Sequence, residues 1–96
     1  MSPINKKKLD LLRVKLDRLD NELLKLIKTR SNLVNEVLKV KIHKKEIIDK
    51  KRISFILKKI KKKSIQLNID PKITNRIWKN MIWSFIDYEN RNFKKK

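Results

Sequence analysis

Between residues 6 and 41 there is neither proline nor glycine, and the apolar side chains recur at steps of three and four. Leu9, Leu12, Leu16, Leu19, Leu23, Leu26, Leu33 and Val37, widened by Ile27 and Val34, mark one face of a single amphipathic helix. Ser2 followed by Pro3 supplies an N-cap and a proline at the first helical position. A helix of about 36 residues would be about 54 Å long at 1.5 Å per residue. That is about twice the dimension of a compact domain of this size, so the rest of the chain cannot cover the stripe. Pairing two copies of the long helix is the economical solution.

The segment IHKKEII, residues 42–48, breaks the stripe and reads as a connection. Asp49 opens a second helix whose apolar face is Ile53, Ile56, Leu57, Ile60 and Leu67, and Asn68 is its stop signal. Asp70-Pro71 is a strong start signal for a third helix carrying Ile73, Ile77, Met81, Ile82, Phe85 and Ile86. The expected fold is all-α, with long, short and medium helices in an intertwined helical homodimer. Residues 1–96 are expected to form one domain with a frayed basic tail at 91–96.

Composition removes much of the enzymatic repertoire. The 96 residues include no Cys, which excludes disulfides, thiolate metal sites and cysteine nucleophiles. His43 is the one histidine, too few for a histidine metal cluster, and reads as a solvated loop residue. The absence of glycine excludes phosphate-cradling loops and dinucleotide fingerprints. Lys+Arg 28 against Asp+Glu 10 gives a net charge of +18, which calls for an anionic partner. The opening MSPINKKKLDLLRV has no apolar core of a secretory signal, and no apolar run approaches the roughly 20 residues of a membrane span. A soluble cytoplasmic protein is the expectation.

Three cations fall on or beside the apolar stripe instead of opposite it. Arg30 and Lys41 are eleven residues apart, which on one helix places them within about 20° of each other and about 16 Å apart along the axis. Two long side chains reaching inward at that spacing leave room for one small anion. Arg13 lies about 25 Å before Arg30 on the same rod, too far to share a ligand within one subunit. In an antiparallel dimer it would reach the partner's pocket; pairing with Asp10 or Asp17 is the alternative. Asp49 and Arg52, at i and i+3, read locally as a helix cap and an ion pair.

Taken together, LDLLRVKLDRLDNELLKLIKTRSNLVNEVLKVK at 9–41, DKKR at 49–52 and the stretch from NIDP to IDYE at 68–89 resemble the AroQ class of chorismate mutase, an all-helical dimeric family. The resemblance covers most of the chain and implies a homodimer, a small dianionic substrate (chorismate), no cofactor and no metal. It implies that Arg30 and Arg13 from the partner subunit bind the two substrate carboxylates, with Arg52 assisting. Lys41 would hydrogen-bond the ether oxygen of the breaking C–O bond, Glu89 would be the second donor to it, and Asp49 would sit by the ring hydroxyl. Leu16, Val37, Ile56, Ile82 and Ile86 would form the apolar wall. To donate, Glu89 must carry its proton.

Two positions depart from the family pattern. Ile53 stands where the family places a glutamate after the arginine, and Phe85 where many members have a small hydroxyl residue. Both make the pocket more apolar and resemble a related branch, the isochorismate-pyruvate lyases, while Asp49 and Glu89 favour the mutase. The remaining alternative is a nucleic-acid-binding helical module, supported by the net charge, KKIKKK at 58–63 and the terminal lysines. Lysine spread through all three helices, without a recognition helix or stacking aromatics, argues against nucleic acid as the partner. Trp78 and Trp83 read as packing or interface residues.

Overall fold

A computed structural model describes residues 2–94. The elements are α1 (Pro3–Val40), a 3₁₀ turn (Lys44–Ile47), α2 (Lys50–Gln66) and α3 (Pro71–Asn92), with no strand among the described residues. The chain divides into two compact units, residues 1–33 and 34–96, with the boundary inside α1. Of the tail expected at 91–96, residues 91–92 close α3, Phe93 packs partly against the core, and residues 95–96 lie outside the described residues.

The first unit is helical from Pro3 onward. The Ser2 hydroxyl accepts the Asn5 amide at 3.1 Å and the Ser2 carbonyl accepts the Lys6 amide at 2.9 Å, so the N-cap forms as the sequence dictates. Side chains support the helix locally: Lys25 pairs with Glu22, and Thr29 and Ser31 bond the carbonyls of Lys25 and Ile27. Arg13 is exposed, and among the described residues it makes no ion pair with Asp10 or Asp17. Leu12, Leu16, Leu19 and Leu23 are all more than half exposed in the single chain.

The second unit holds the core. Leu38, Ile47, Ile82 and Ile86 are buried together, with Ile53, Ile56, Leu57 and Phe93 packed around them. Two of the four were not in the expected stripes. Leu38 sits one residue beyond Val37, which is itself exposed, and Ile47 belongs to the segment expected to be a plain connection. The 3₁₀ turn explains the second case: it folds the connection back so that Ile47 enters the core against α3.

The α2–α3 corner is built without glycine. Asn68 adopts φ 57, the left-handed conformation that asparagine tolerates better than most residues. The Ile69 amide bonds the Ser64 carbonyl at 2.9 Å and the Asn68 amide bonds the Ile65 carbonyl at 3.1 Å, a Schellman closure. Leu67, expected on the apolar face, is instead the exposed C-cap, because the chain has already left helical phase there. Asp70 then accepts the Lys72 amide at 2.9 Å and Pro71 occupies the first turn of α3. The buried hydroxyls of Ser64 and Thr74 meet at 2.7 Å and fasten the two helices beside the corner. Ile73 and Ile77, expected on the packed face of α3, are exposed in the single chain, since that face turns inward at Thr74, Ile82 and Ile86.

Ile47 is 4% exposed and its neighbour Ile48 is 44% exposed. Ile47→Ala is therefore expected to cost about 3 kcal/mol and Ile48→Ala under about 1 kcal/mol, as read by urea denaturation. Equal losses at the two positions would contradict the inward placement of Ile47.

Candidate active site

The sequence periodicity of α3 carries a carboxylate inward. Ile82, Ile86 and Glu89 follow one another at steps of four and three, and all three are buried. An ionised carboxylate at a core-facing position needs a charged or hydrogen-bonding partner. The partner is Lys41, whose Nζ donates to Glu89 Oε2 at 2.7 Å across 48 positions of sequence. Their side chains are 18% and 9% exposed, so this is a desolvated, charge-assisted contact and not a surface pair. An ammonium has three N–H bonds, and this contact uses one.

Lys41 does not belong to α1, which ends at Val40. Its amide makes a tightened bond to the Leu38 carbonyl at 3.2 Å, and the chain then leaves the helix. The helical phase argument for Arg30 and Lys41 therefore stops one residue short of Lys41. Glu46 organises the exit: its Oε2 accepts the amides of Ile42 at 2.7 Å and His43 at 2.8 Å, and its own amide bonds the His43 carbonyl at 3.0 Å. The His43 amide, then the Ile42 amide, hold the Glu46 carboxyl below its ordinary value against an opposing cost of desolvation, with lesser electrostatic help from His43 and Lys41. The Tyr88 hydroxyl, one residue before Glu89, donates to Asn35 Oδ1 at 2.7 Å and ties α3 to the last turns of α1.

Val37, Lys41 and Asp49 share the wall of one open depression of about 760 Å³, together with Glu46. Asp49 Oδ1 caps α2 by accepting the Arg52 amide at 3.0 Å. The Arg52 guanidinium is directed elsewhere, over the Phe55 ring at 5.4 Å from its centroid. Ile53 lines a separate apolar depression of about 400 Å³ with Leu57 and Trp83. Ile56 and Phe85 are half-buried, and Ile82 and Ile86 are packed into the core. Arg13, Leu16 and Arg30 belong to the first unit, where Arg13 and Leu16 are exposed and Arg30 is half-buried.

Glu46, Leu38, Ile47 and the Asn35–Tyr88 bond had no place in the sequence reading. Glu46 carried a usable signal, since a glutamate three residues after a loop residue is the reciprocal half of a helix-start box. Nothing in the pattern announced Asn35 and Tyr88, because a polar pair on helix faces is indistinguishable from solvated side chains until the helices are docked.

Among the described residues, no helix is long and apolar enough to cross a membrane. Residues 12–90 match a family model described as chorismate mutase type II. No curated protein and no solved structure matches the chain.

Proposed function

The chain belongs to the chorismate mutase type II family, and we propose that it converts chorismate to prephenate with Lys41 and Glu89 at the breaking ether bond. The observation that carries this reading is the 2.7 Å contact between Lys41 and Glu89. The resemblance assigns these two positions, 48 residues apart in sequence, to the same substrate oxygen, and they are neighbours in the fold.

The rearrangement is pericyclic: one C–O bond breaks as one C–C bond forms, with no proton transfer and no covalent intermediate. The protein has two tasks. It must hold the flexible enolpyruvyl arm over the ring, and it must place donors where negative charge gathers on the ether oxygen. Arg30 and Arg13 of the partner subunit perform the first by gripping the two carboxylates, with Arg52 assisting and Asp49 set at the ring hydroxyl. Leu16, Val37, Ile53, Ile56, Ile82, Phe85 and Ile86 supply the surrounding hydrocarbon. Lys41 performs the second, through N–H bonds not spent on Glu89. Glu89 holds that ammonium in place by accepting one of its N–H bonds.

A second copy of the chain is part of this reading. The first unit is helix with an exposed leucine face, and helices in proteins draw most of their stability from packing such a face. Covering Leu12, Leu16, Leu19 and Leu23 with the same face of another copy resolves that exposure and brings Arg13 to the partner's pocket. The apolar character of Ile53 and Phe85 keeps isochorismate-pyruvate lyase activity as the second reading.

Incubating the purified chain with chorismate and with isochorismate, and identifying the products, distinguishes the readings; prephenate from chorismate is expected. Lys41→Ala should lower kcat by about a hundredfold or more, because it removes an interaction made to charge that develops only in the transition state. Near-normal turnover in that variant would exclude the mechanism. Glu89→Gln, whose side-chain oxygen still accepts from Lys41 and whose amide adds an N–H donor, should keep most of the turnover, whereas Glu89→Ala, which leaves Lys41 without its partner, should lower kcat about tenfold or more. Equal turnover in Glu89→Ala and the unmodified chain counts against the role of Glu89. Analytical ultracentrifugation should give a dimer, and Leu19→Asp with Leu23→Asp should disrupt it with loss of activity.

A further inference from the structure

We propose that Glu46 is a positioning residue for Lys41. The role rests on the mutase reading above and adds to it a device that sets the direction in which the ammonium leaves the backbone.

Lys41 lies on a bridge between two buried anchors. Leu38 precedes it and Ile47 follows it, and both enter the core formed with Ile82 and Ile86 of α3, the helix that also carries Glu89. After α1 ends at Val40 the chain is neither helix nor strand until the 3₁₀ turn at Lys44, so the repeating hydrogen bonds of regular structure do not fix residues 41–43. Glu46 does that work. One carboxylate oxygen takes the amides of Ile42 and His43, the two residues directly after Lys41, at 2.7 and 2.8 Å. The reciprocal bond from the Glu46 amide to the His43 carbonyl closes the loop on itself at 3.0 Å.

The chemistry of that oxygen suits the task. Two amide donors converging on one carboxylate oxygen make a charge-assisted clamp, stronger than a pair of neutral hydrogen bonds. The same amides, with the charges of His43 and Lys41, keep Glu46 ionised. Glu46 is itself exposed, so its removal takes away the clamp and very little packing. That separates it from Ile47, whose loss would open the core. A lysine stem has four rotatable carbons, and its ammonium is held at Glu89 only if the backbone launches it correctly. Small misplacements of a catalytic group are costly in rate and nearly silent in substrate binding when other side chains hold the substrate.

The test is steady-state turnover of chorismate by the full chain, its Glu46→Ala and Glu46→Gln variants, and Lys44→Ala as a control on the same turn. Alongside, amide hydrogen exchange at Ile42 and His43 is followed by NMR. Glu46→Ala is expected to lower kcat about tenfold with KM within about twofold of the parent, and to speed exchange at both amides. Glu46→Gln, whose side-chain carbonyl still accepts, should restore most of kcat; Lys44→Ala should change neither. Unchanged kcat or unchanged exchange in Glu46→Ala overturns the role. So does a loss of kcat accompanied by a lowered Tm and no rescue by glutamine, which marks a purely structural part. If the unmodified chain turns over neither chorismate nor isochorismate, the mutase reading fails and this role fails with it. An active parent with an indifferent Glu46→Ala overturns the role alone.

Discussion

A carboxylate and an ammonium held together at 2.7 Å, both largely out of water, set the conditions for the rest of this structure. Removing either partner would strand a charge in a low-dielectric setting, a cost of several kcal/mol in comparable cases. The fold therefore has to deliver Glu89 and Lys41 to one point every time it forms. Glu89 is delivered by helix phase, as the next core-facing position after Ile82 and Ile86. Lys41 is delivered by the end of a helix, a pinned turn and two buried anchors. The Tyr88–Asn35 bond adds a second, uncharged tie between the same two segments.

That arrangement fits a reaction that asks little of side-chain chemistry. A pericyclic rearrangement needs neither a nucleophile nor a proton relay, so a chain with no cysteine and one histidine loses nothing by their absence. What it does need is fixed positive charge. Of the many cations in this protein most are exposed, and a solvated lysine contributes to encounter with an anion more than to its transformation. Lys41 differs because it is withdrawn from solvent and already oriented by an acid.

The helices were legible because their signals are local. Ser2-Pro3, Asp49, Asn68 and Asp70-Pro71 each declare a boundary through the conformation of one or two residues, and each boundary formed there. Burial was less legible, because it depends on which face meets a neighbour. Val37 and Leu38 are adjacent apolar residues, and only docking against α3 decides that the second goes in. Ile47 was hidden in a segment whose polarity reads as loop, since a single 3₁₀ turn has no periodicity to detect. The pairing of Lys41 with Glu89 was foreshadowed only through the family pattern; spacing along the chain carries no information about a contact 48 residues long.

Leu38 and Ile47 are seated in one core, so the stretch between them behaves as a ruler of fixed length. Inserting or deleting a residue there would have to be absorbed by unseating an anchor or by swinging Lys41 off its acid. Changes of length after Phe93, the last described residue packed against that core, face no such penalty, since Lys94 beyond it is exposed. Descendants of this chain should thus vary freely in extent at that end and hardly at all across this span, whatever substitutions accumulate within it.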